Sequence, residues 1–188
     1  MPQSRHRRKG VTRPRVRHAP VKTPGCPACE DPDFSFEDEL RRIRQLVERY
    51  GFVTQAILGD RAHPPYAYTV GLGRDDHPEL VVVGLEPKTA HDLLWALAPE
   101  VLDGADLTMR SEIALPGTPR LRVVPARPGA VDLGVAELVD DAPADGLQLV
   151  WPDPAGEYPG EPSYDAVGFR QPLLGRAWWA PKARVEAV

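Results

Sequence analysis

Two strand-like runs of sequence, separated by a short polar link, constrain this chain more than any other feature. The first run covers residues 64–72, the second covers residues 77–85, and the link is Gly73-Arg74-Asp75-Asp76. Runs of this length on either side of a glycine- and aspartate-containing link are typical of a β-hairpin or a short meander. The sequence therefore predicts an antiparallel pair of strands around which the fold is organised.

The two runs differ in their apolar pattern. Tyr66, Tyr68 and Val70 of the first run alternate with smaller residues, whereas residues 80–83 of the second are apolar without a break. An unbroken apolar run is typical of a strand that is covered on both sides. We expect the first strand to have one half-polar face and the second to be buried on both faces.

Two helices are predicted beside these strands. Residues 36–50 repeat apolar side chains at helical spacing, with Ser35 as N-cap and Gly51 as the stop. Residues 88–102 form a second apolar helix, in which Pro99 should kink or break the last turn. Both helices have an apolar side, so both should cover the sheet.

The rest of the chain supplies shorter elements. Further strands are predicted at residues 52–58, 107–109, 121–124 and 148–151. Residues 131–140 fit either a helix or a strand, and residues 151–188 are rich in proline and glycine and should wrap the body as irregular chain. We expect one α+β domain over residues 34–188, with a mostly antiparallel sheet covered by two main helices. A parallel βαβ unit after Leu85 remains open.

The charge is divided unevenly along the chain. Residues 1–22 contain eight Lys or Arg and no acid, whereas the remainder contains 15 basic and 27 acidic residues, a formal charge of −12. The basic, proline-rich segment 1–33 has few large apolar side chains, so it is predicted to be a disordered tail. Such a tail is either an electrostatic arm for nucleic acid or another acidic surface, or a solvated segment without a partner.

The sequence favours a cytoplasmic location. It has no run of about 18 apolar residues to cross a membrane, and its basic start lacks the apolar stretch of a secretory signal. The only cysteines, Cys26 and Cys29, are too few for a disulfide framework. They form half of a zinc site that His6 or His18 would have to help complete, or else they are unpaired thiols. The sequence identifies no cofactor.

Several blocks of sequence resemble a known family. Their order along residues 40–175 is similar to that of an uncharacterised bacterial family, the domain of unknown function numbered 4262. The resemblance is carried by Tyr50-Gly51-Phe52, by residues 65–72 and 77–85, by Leu147-Gln148-Leu149-Val150-Trp151-Pro152-Asp153, by Pro159 and by Gln171-Pro172-Leu173-Leu174. It implies a single soluble domain and transfers no catalytic residue.

One polar cluster lies at the link between the two central strands. Asp75, Asp76, His77 and Glu79 place three carboxylates and an imidazole within five positions. Either they form a metal or acid–base cluster, with His77 as the candidate general base, or they are a polar link followed by an acid that opens a strand. The spacing matches no known metal-binding motif.

The first central strand offers candidate ligand-binding side chains. Tyr66, Tyr68 and Thr69 would either hydrogen-bond a ligand along the half-polar face or pack across the sheet. Thr69 lies close to Gly71, where a ligand or a backbone can approach closely. Both interpretations remain open.

Trp151-Pro152-Asp153 is similar to the acid loop of tyrosine phosphatases, but neither cysteine is followed six residues later by the arginine that this chemistry needs. Asp153 is therefore either a turn residue or one pole of a binding site with Arg170. Gly71-Leu72-Gly73 lacks the third glycine of a dinucleotide-binding turn, and there is no Walker loop or serine elbow.

Two functions follow from these residues. The first is a domain that binds a small polar or anionic molecule, with a pocket formed by Tyr66, Tyr68, His77, Asp153 and Arg170. It would be an enzyme if His77 acts as a base and Arg170 binds an anionic group. The second is a non-catalytic interaction module whose basic segment, residues 1–22, contacts nucleic acid or an acidic partner. The sequence does not predict an oligomeric state.

Overall fold

The structure is a computed structural model that describes residues 33–105, 107, 112–168 and 170–180. From Glu37 onward the described residues form one compact unit. The elements in chain order are α1 (Phe36–Tyr50), β1 (Val53–Ile57), β2 (Tyr66–Val70), a 3-10 turn (Leu72–Asp75), β3 (Glu79–Val83), α2 (Pro87–Leu102), β4 (Glu112–Ile113), β5 (Leu121–Pro125), α3 (Gly134–Asp140) and β6 (Gly146–Val150).

The strands form a mixed six-stranded sheet in the order β1-β2-β3-β6-β5-β4. Every neighbouring pair is antiparallel except β3 and β6, which run parallel with Glu79 opposite Gly146. The predicted α+β class with a mostly antiparallel sheet is therefore confirmed. The one parallel pair joins strands separated in sequence by α2, β4, β5 and α3, so it is not a simple βαβ unit directly after Leu85.

The two long helices begin and end where the sequence chemistry favours it. Acidic residues occupy the first turn of α1, where the helix dipole stabilises negative charge. In α2, Pro87 lies in the first turn and the side chain of Glu86 accepts the N–H of Thr89. Pro99 does not break α2, which continues to Leu102.

The sheet is the middle of three layers. On one face, α2 packs against Leu80, Val82 and Leu149. On the other face, α1 and α3 pack against Val81 and Val83. Strand β3 is therefore buried on both faces, as its unbroken apolar run predicts.

Strand β2 differs from its prediction. Ala67, Tyr68, Thr69 and Val70 are all buried, so β2 has no half-polar face. The alternating side chains instead lie in two different parts of the core: Ala67 lies beneath α2, and Tyr68 lies beneath α1 and α3. The burial of Thr69 leaves no polar group unsatisfied, because its hydroxyl donates to a partner inside the protein.

The shorter elements complete the fold. Residues 131–140, which fit either a helix or a strand, contain α3, and the two-residue strand β4 was not predicted. Residues 151–168 and 170–180 contain neither helix nor strand and pack on Val124 and Val150 of the sheet. Arg122 fixes this segment, since its guanidinium lies 3.8 Å from the Tyr158 ring centroid and 2.7 Å from Glu161.

Some predictions fall outside the described residues. These are the basic tail up to residue 32, the Cys26 and Cys29 half-site and most of the strand predicted at residues 107–109. Within the described ranges, no helix is both long enough and apolar enough to span a bilayer.

Candidate functional site

A buried network of polar groups lies at the point where β2 and β3 separate. The N–H of Leu80 donates to the Thr69 hydroxyl at 2.8 Å, and that hydroxyl donates in turn to Oε2 of Glu79 at 2.6 Å. Two side chains therefore replace the backbone hydrogen bonds that would otherwise continue the ladder. Glu79 is the centre of this arrangement and is only 1% exposed.

The 3-10 turn after β2 folds over the same carboxylate. Oε1 of Glu79 accepts the N–H groups of Gly71 at 2.9 Å and Gly73 at 3.2 Å. Gly71 has a φ of 117°, and a Cβ there would lie 2.5 Å from Cγ1 of Val47, so only glycine fits this close approach. The turn and the carboxylate therefore stabilise each other's position.

A second carboxylate faces Glu79 across the turn. A Cβ at Gly73 would lie 2.8 Å from Oδ2 of Asp140 and 3.8 Å from Oε1 of Glu79, which places both carboxylates against this glycine. Asp140 comes from α3 and is also 3.4 Å from Nε of Arg74. Burial, and to a lesser extent the negative charge of Asp140, raises the pKa of Glu79 to about 7, although its three hydrogen-bond donors act in the opposite direction.

Glu79 lies at a cavity of about 320 Å³, which we name the Glu79 cavity. It is lined by Gly73, Asp76, His77, Pro78, Glu79, Asp140, Ala142, Pro143, Ala144 and Asp145. Four carboxyl groups and one imidazole therefore surround a space large enough for a small molecule. Across the part of the chain that is described, no three His, Cys, Asp or Glu side chains are placed to hold a metal ion.

The predicted tyrosines are placed differently. The Tyr66 hydroxyl donates to the carbonyl of Asp132 at 3.1 Å, and Tyr68 is 1% exposed with its hydroxyl bonded to the backbone of Val135. Burial raises the pKa of Tyr66 to about 12 and that of Tyr68 further. Both phenols therefore contact the residues around the start of α3, a packing arrangement with satisfied polar ends.

Asp153 and Arg170 lie in the C-terminal segment and have their own partners. Asp153 accepts the backbone N–H groups of Ala155, Glu157 and Asp165 at 2.9–3.0 Å, as a residue that organises a loop does. Arg170 donates to the carbonyls of residues 61 and 62. The structure thus brings Thr69 and His77 near Glu79, and places Arg170 at a different cavity.

Comparison with known proteins identifies the family. The sequence model of the family described as "Domain of unknown function (DUF4262)" matches residues 46–165. The chain belongs to this family. No curated protein and no solved structure matches it.

The DUF4262 match covers all six strands and the residues of the Glu79 cavity, and it ends before Arg170. Sequence reasoning placed Glu79 in a polar cluster but did not choose it as a site residue. A usable signal was present, because an acid that opens a strand predicted to be buried on both faces is a candidate for burial and so needs hydrogen-bond partners. No such signal links Asp140 or Asp145 to the Glu79 cavity, since each is more than 60 residues further along the chain than Glu79.

Proposed function

We propose that this domain binds a small polar molecule, neutral or cationic, in the Glu79 cavity and exchanges a proton with it through Glu79. The observation that carries the proposal is a carboxyl group with 1% exposure and a pKa of about 7 beside a cavity of about 320 Å³. A group with a pKa near the ambient pH is an effective general acid or base, because both of its protonation states are populated.

The hydrogen bonds around Glu79 suit both protonation states. Oε1 accepts two backbone N–H groups, so a proton on this carboxyl group would be held at Oε2. Oε2 accepts a hydrogen bond from the Thr69 hydroxyl. This hydroxyl can donate to Glu79 when Glu79 is a carboxylate, or accept from it when it is a carboxylic acid. Thr69 is therefore proposed to position the carboxyl group as its proton leaves or returns.

The charges around the cavity define the kind of ligand. Asp76, Glu79, Asp140 and Asp145 line it together with His77. An anionic ligand would be repelled by these carboxylates, whereas a molecule with amine, amide or hydroxyl donors would be bound. In this proposal His77 contacts the ligand from the cavity wall, and Glu79 takes the role of general base that the sequence assigned to His77.

Blocking variants test this site directly. The full chain would be examined by native mass spectrometry for a copurifying molecule, and then by thermal-shift titration with small amines and polyols. Glu79→Gln preserves shape and removes the titrating group, while Ala142→Phe fills the cavity from an exposed position. Glu100→Gln, on the exposed surface of α2, is the matched control.

The expected result is that the wild type and Glu100→Gln bind the same molecule. Ala142→Phe should abolish binding, and Glu79→Gln should weaken it by about tenfold, as loss of a charge-assisted hydrogen bond does. A molecule that binds Ala142→Phe as strongly as the wild type would place its site elsewhere and refute the proposal.

A second function is favoured by the separation of charge along the chain. Residues 1–22 hold eight cationic side chains without an acid, and the remainder has a formal charge of −12. A segment of this composition binds polyanions through release of counterions, without base-specific contacts. We propose it as an electrostatic arm for nucleic acid that acts independently of the Glu79 cavity.

Salt dependence tests the arm. Binding of the full chain to labelled single-stranded DNA would be measured by fluorescence anisotropy at several salt concentrations, beside a variant with the eight Lys and Arg of residues 1–22 replaced by Gln. We expect the affinity of the wild type to fall steeply with salt and the variant to lose binding. If the two proteins bind equally, the arm has no such role.

A further inference from the structure

A second cavity, of about 540 Å³, lies between the loop that precedes β2 and the C-terminal segment. We name it the Arg170 cavity. It is lined by Ala62, His63, Pro64, Pro159, Gly160, Tyr164, Ala166, Arg170, Gln171, Pro172 and Leu173. It shares no residue with the Glu79 cavity, and no carboxylate is among its lining residues within the described chain.

Arg170 is held in a fixed position at this cavity. Nη1 donates to the carbonyl of Arg61 at 3.2 Å and Nη2 donates to the carbonyl of Ala62 at 2.8 Å. A guanidinium has five N–H groups, so these two bonds orient the head group and leave donors available. None of the ion pairs formed between described residues includes Arg170, so its charge is not neutralised by a carboxylate there.

Asp60 and Asp165, two acids close to this region in the chain, are already engaged. Asp60 accepts the N–H groups of Ala62 and His63 and lies 3.2 Å from Nδ1 of His63. Asp165 accepts the N–H groups of Val167 and Gly168 within its own loop. These carboxylates form turns, and neither lines the Arg170 cavity.

The walls of the cavity are mainly apolar. Pro64, Pro159, Pro172 and Leu173 line it together with Tyr164, and Gln171 is held by two hydrogen bonds to the backbone of Trp151. A planar guanidinium with free donors matches the two oxygens of a carboxylate, and rigid apolar walls match a compact hydrocarbon body. A phosphate is less well matched, since it would normally require several cations or backbone N–H groups.

We propose that the Arg170 cavity binds a small organic carboxylate with an apolar or aromatic body, whose carboxylate pairs with Arg170 and whose body lies against Tyr164 and the prolines. This second site is separate from the proposed function at Glu79 and does not depend on it. Arg170 keeps its predicted anion-binding role, but it does so beside neighbours that the sequence did not identify.

The test compares a charged aromatic probe with a neutral one of similar shape and with inorganic phosphate. The full chain, labelled with ¹⁵N, would be titrated by NMR with benzoate, benzamide and inorganic phosphate. We expect benzoate to shift the amide signals of Ala62, His63 and Gly160, and to bind at least about tenfold more tightly than neutral benzamide or phosphate. Equal binding of benzoate and benzamide, or benzoate shifts centred on Gly73 and Ala142, would overturn the proposal.

Two variants at one exposed position test the charge of the cavity without removing any contact of Arg170. Ala166→Glu adds a carboxylate to the wall, and Ala166→Gln adds the same volume without charge. We expect benzoate binding to fall at least about tenfold in the first and to remain within about twofold of the wild type in the second. Arg170→Gln should also lose benzoate binding, and retention of wild-type affinity in Ala166→Glu and Arg170→Gln would show that Arg170 does not pair with the probe.

Discussion

Glu79 and Asp153 are two carboxylates that are similarly hidden from solvent, at 1% and 5% exposure, yet their pKa values shift in opposite directions. The pKa of Glu79 is raised to about 7 mainly by burial. The pKa of Asp153 is lowered, first by its hydrogen bond from the backbone of Asp165 and then by further backbone donors in the same loop. Low exposure alone therefore does not distinguish a proton-exchanging group from a structural one.

The difference lies in what surrounds each group. Glu79 is enclosed by the sheet, the 3-10 turn and α3, and Asp140 faces it across Gly73. Asp153 is covered by the backbone of a surface loop in which the N–H groups of Ala155, Glu157 and Asp165 donate to it, so it keeps favourable interactions in place of water. A buried acid is thus a candidate for proton exchange only where desolvation outweighs the donors that it has acquired.

The largest expected effect is the pH dependence that Glu79 imparts to folding. Because its pKa is higher in the folded state than the 4.5 of the unfolded chain, the folded state binds more protons and loses stability as pH rises from 4.5 to about 7. The loss attributed to Glu79 is roughly 3 kcal/mol, at about 1.36 kcal/mol per pH unit. Urea unfolding of the wild type and Glu79→Gln from pH 4 to pH 8 would measure it as the change in their difference.

The wild type and Glu79→Gln have the same charged groups around position 79. Asp140 from α3, Arg74 from the turn and Asp76, His77 and Asp145 from the cavity wall are present in both proteins, so most of their contribution cancels in the difference. A stability difference that stays constant over this pH range would show that Glu79 titrates as it does in water, and the contrast with Asp153 would disappear.

Asp153 should show the opposite pH dependence. Asp153→Asn places an amide N–H₂ group against at least one of the backbone N–H groups that the carboxylate now accepts, so we expect a lower melting temperature at pH 7. Because the folded pKa is below 3.8, the stabilisation by the charge is present above that pH and is lost as pH falls through the folded pKa.

Thermal unfolding followed by circular dichroism would check this expectation. Glu100→Gln, at an exposed position on α2, controls for the loss of a carboxylate. If Asp153→Asn unfolds at the wild-type temperature at pH 7, the hydrogen bonds of Asp153 do not stabilise the fold.

The fold was largely predictable because its signals are local. Residues 36–50 carry their own helical spacing, and residues 80–83 form an apolar run that is typical of a strand covered on both faces. What local signals could not give is the side of the sheet on which each helix lies. For α2 and α3 that side depends on the crossover from β3 to β6, which is determined by packing over more than 60 residues of chain.

The candidate site was predictable only in part, for the same reason. His77 and Thr69 are near Glu79 in sequence, so a pattern search finds them together. Asp140 approaches through the packing of α3, and Arg170 is separated from this cluster by its bonds to the carbonyls of residues 61 and 62. Of the residues predicted to form a single pocket, His77 and Arg170 thus line two separate cavities of opposite charge, a division that requires the folded chain.

The smallest expected effect concerns Thr69. Its hydroxyl donates a hydrogen bond to Glu79 and lowers the pKa of that carboxyl group, as the backbone donors do for Asp153. Thr69→Val keeps the shape of the side chain but removes the hydroxyl that donates to Glu79 and accepts from Leu80, at a cost of about 1–2 kcal/mol in unfolding free energy. With one donor fewer, the carboxylate is less stabilised, so the pKa of Glu79 should rise further.

Carboxyl ¹³C NMR titration would measure the shift, and Thr69→Ser, which retains the hydroxyl, should restore the wild-type titration. If Thr69→Val leaves the pKa of Glu79 unchanged, the hydroxyl does not stabilise its charge, and burial and Asp140 alone separate Glu79 from Asp153.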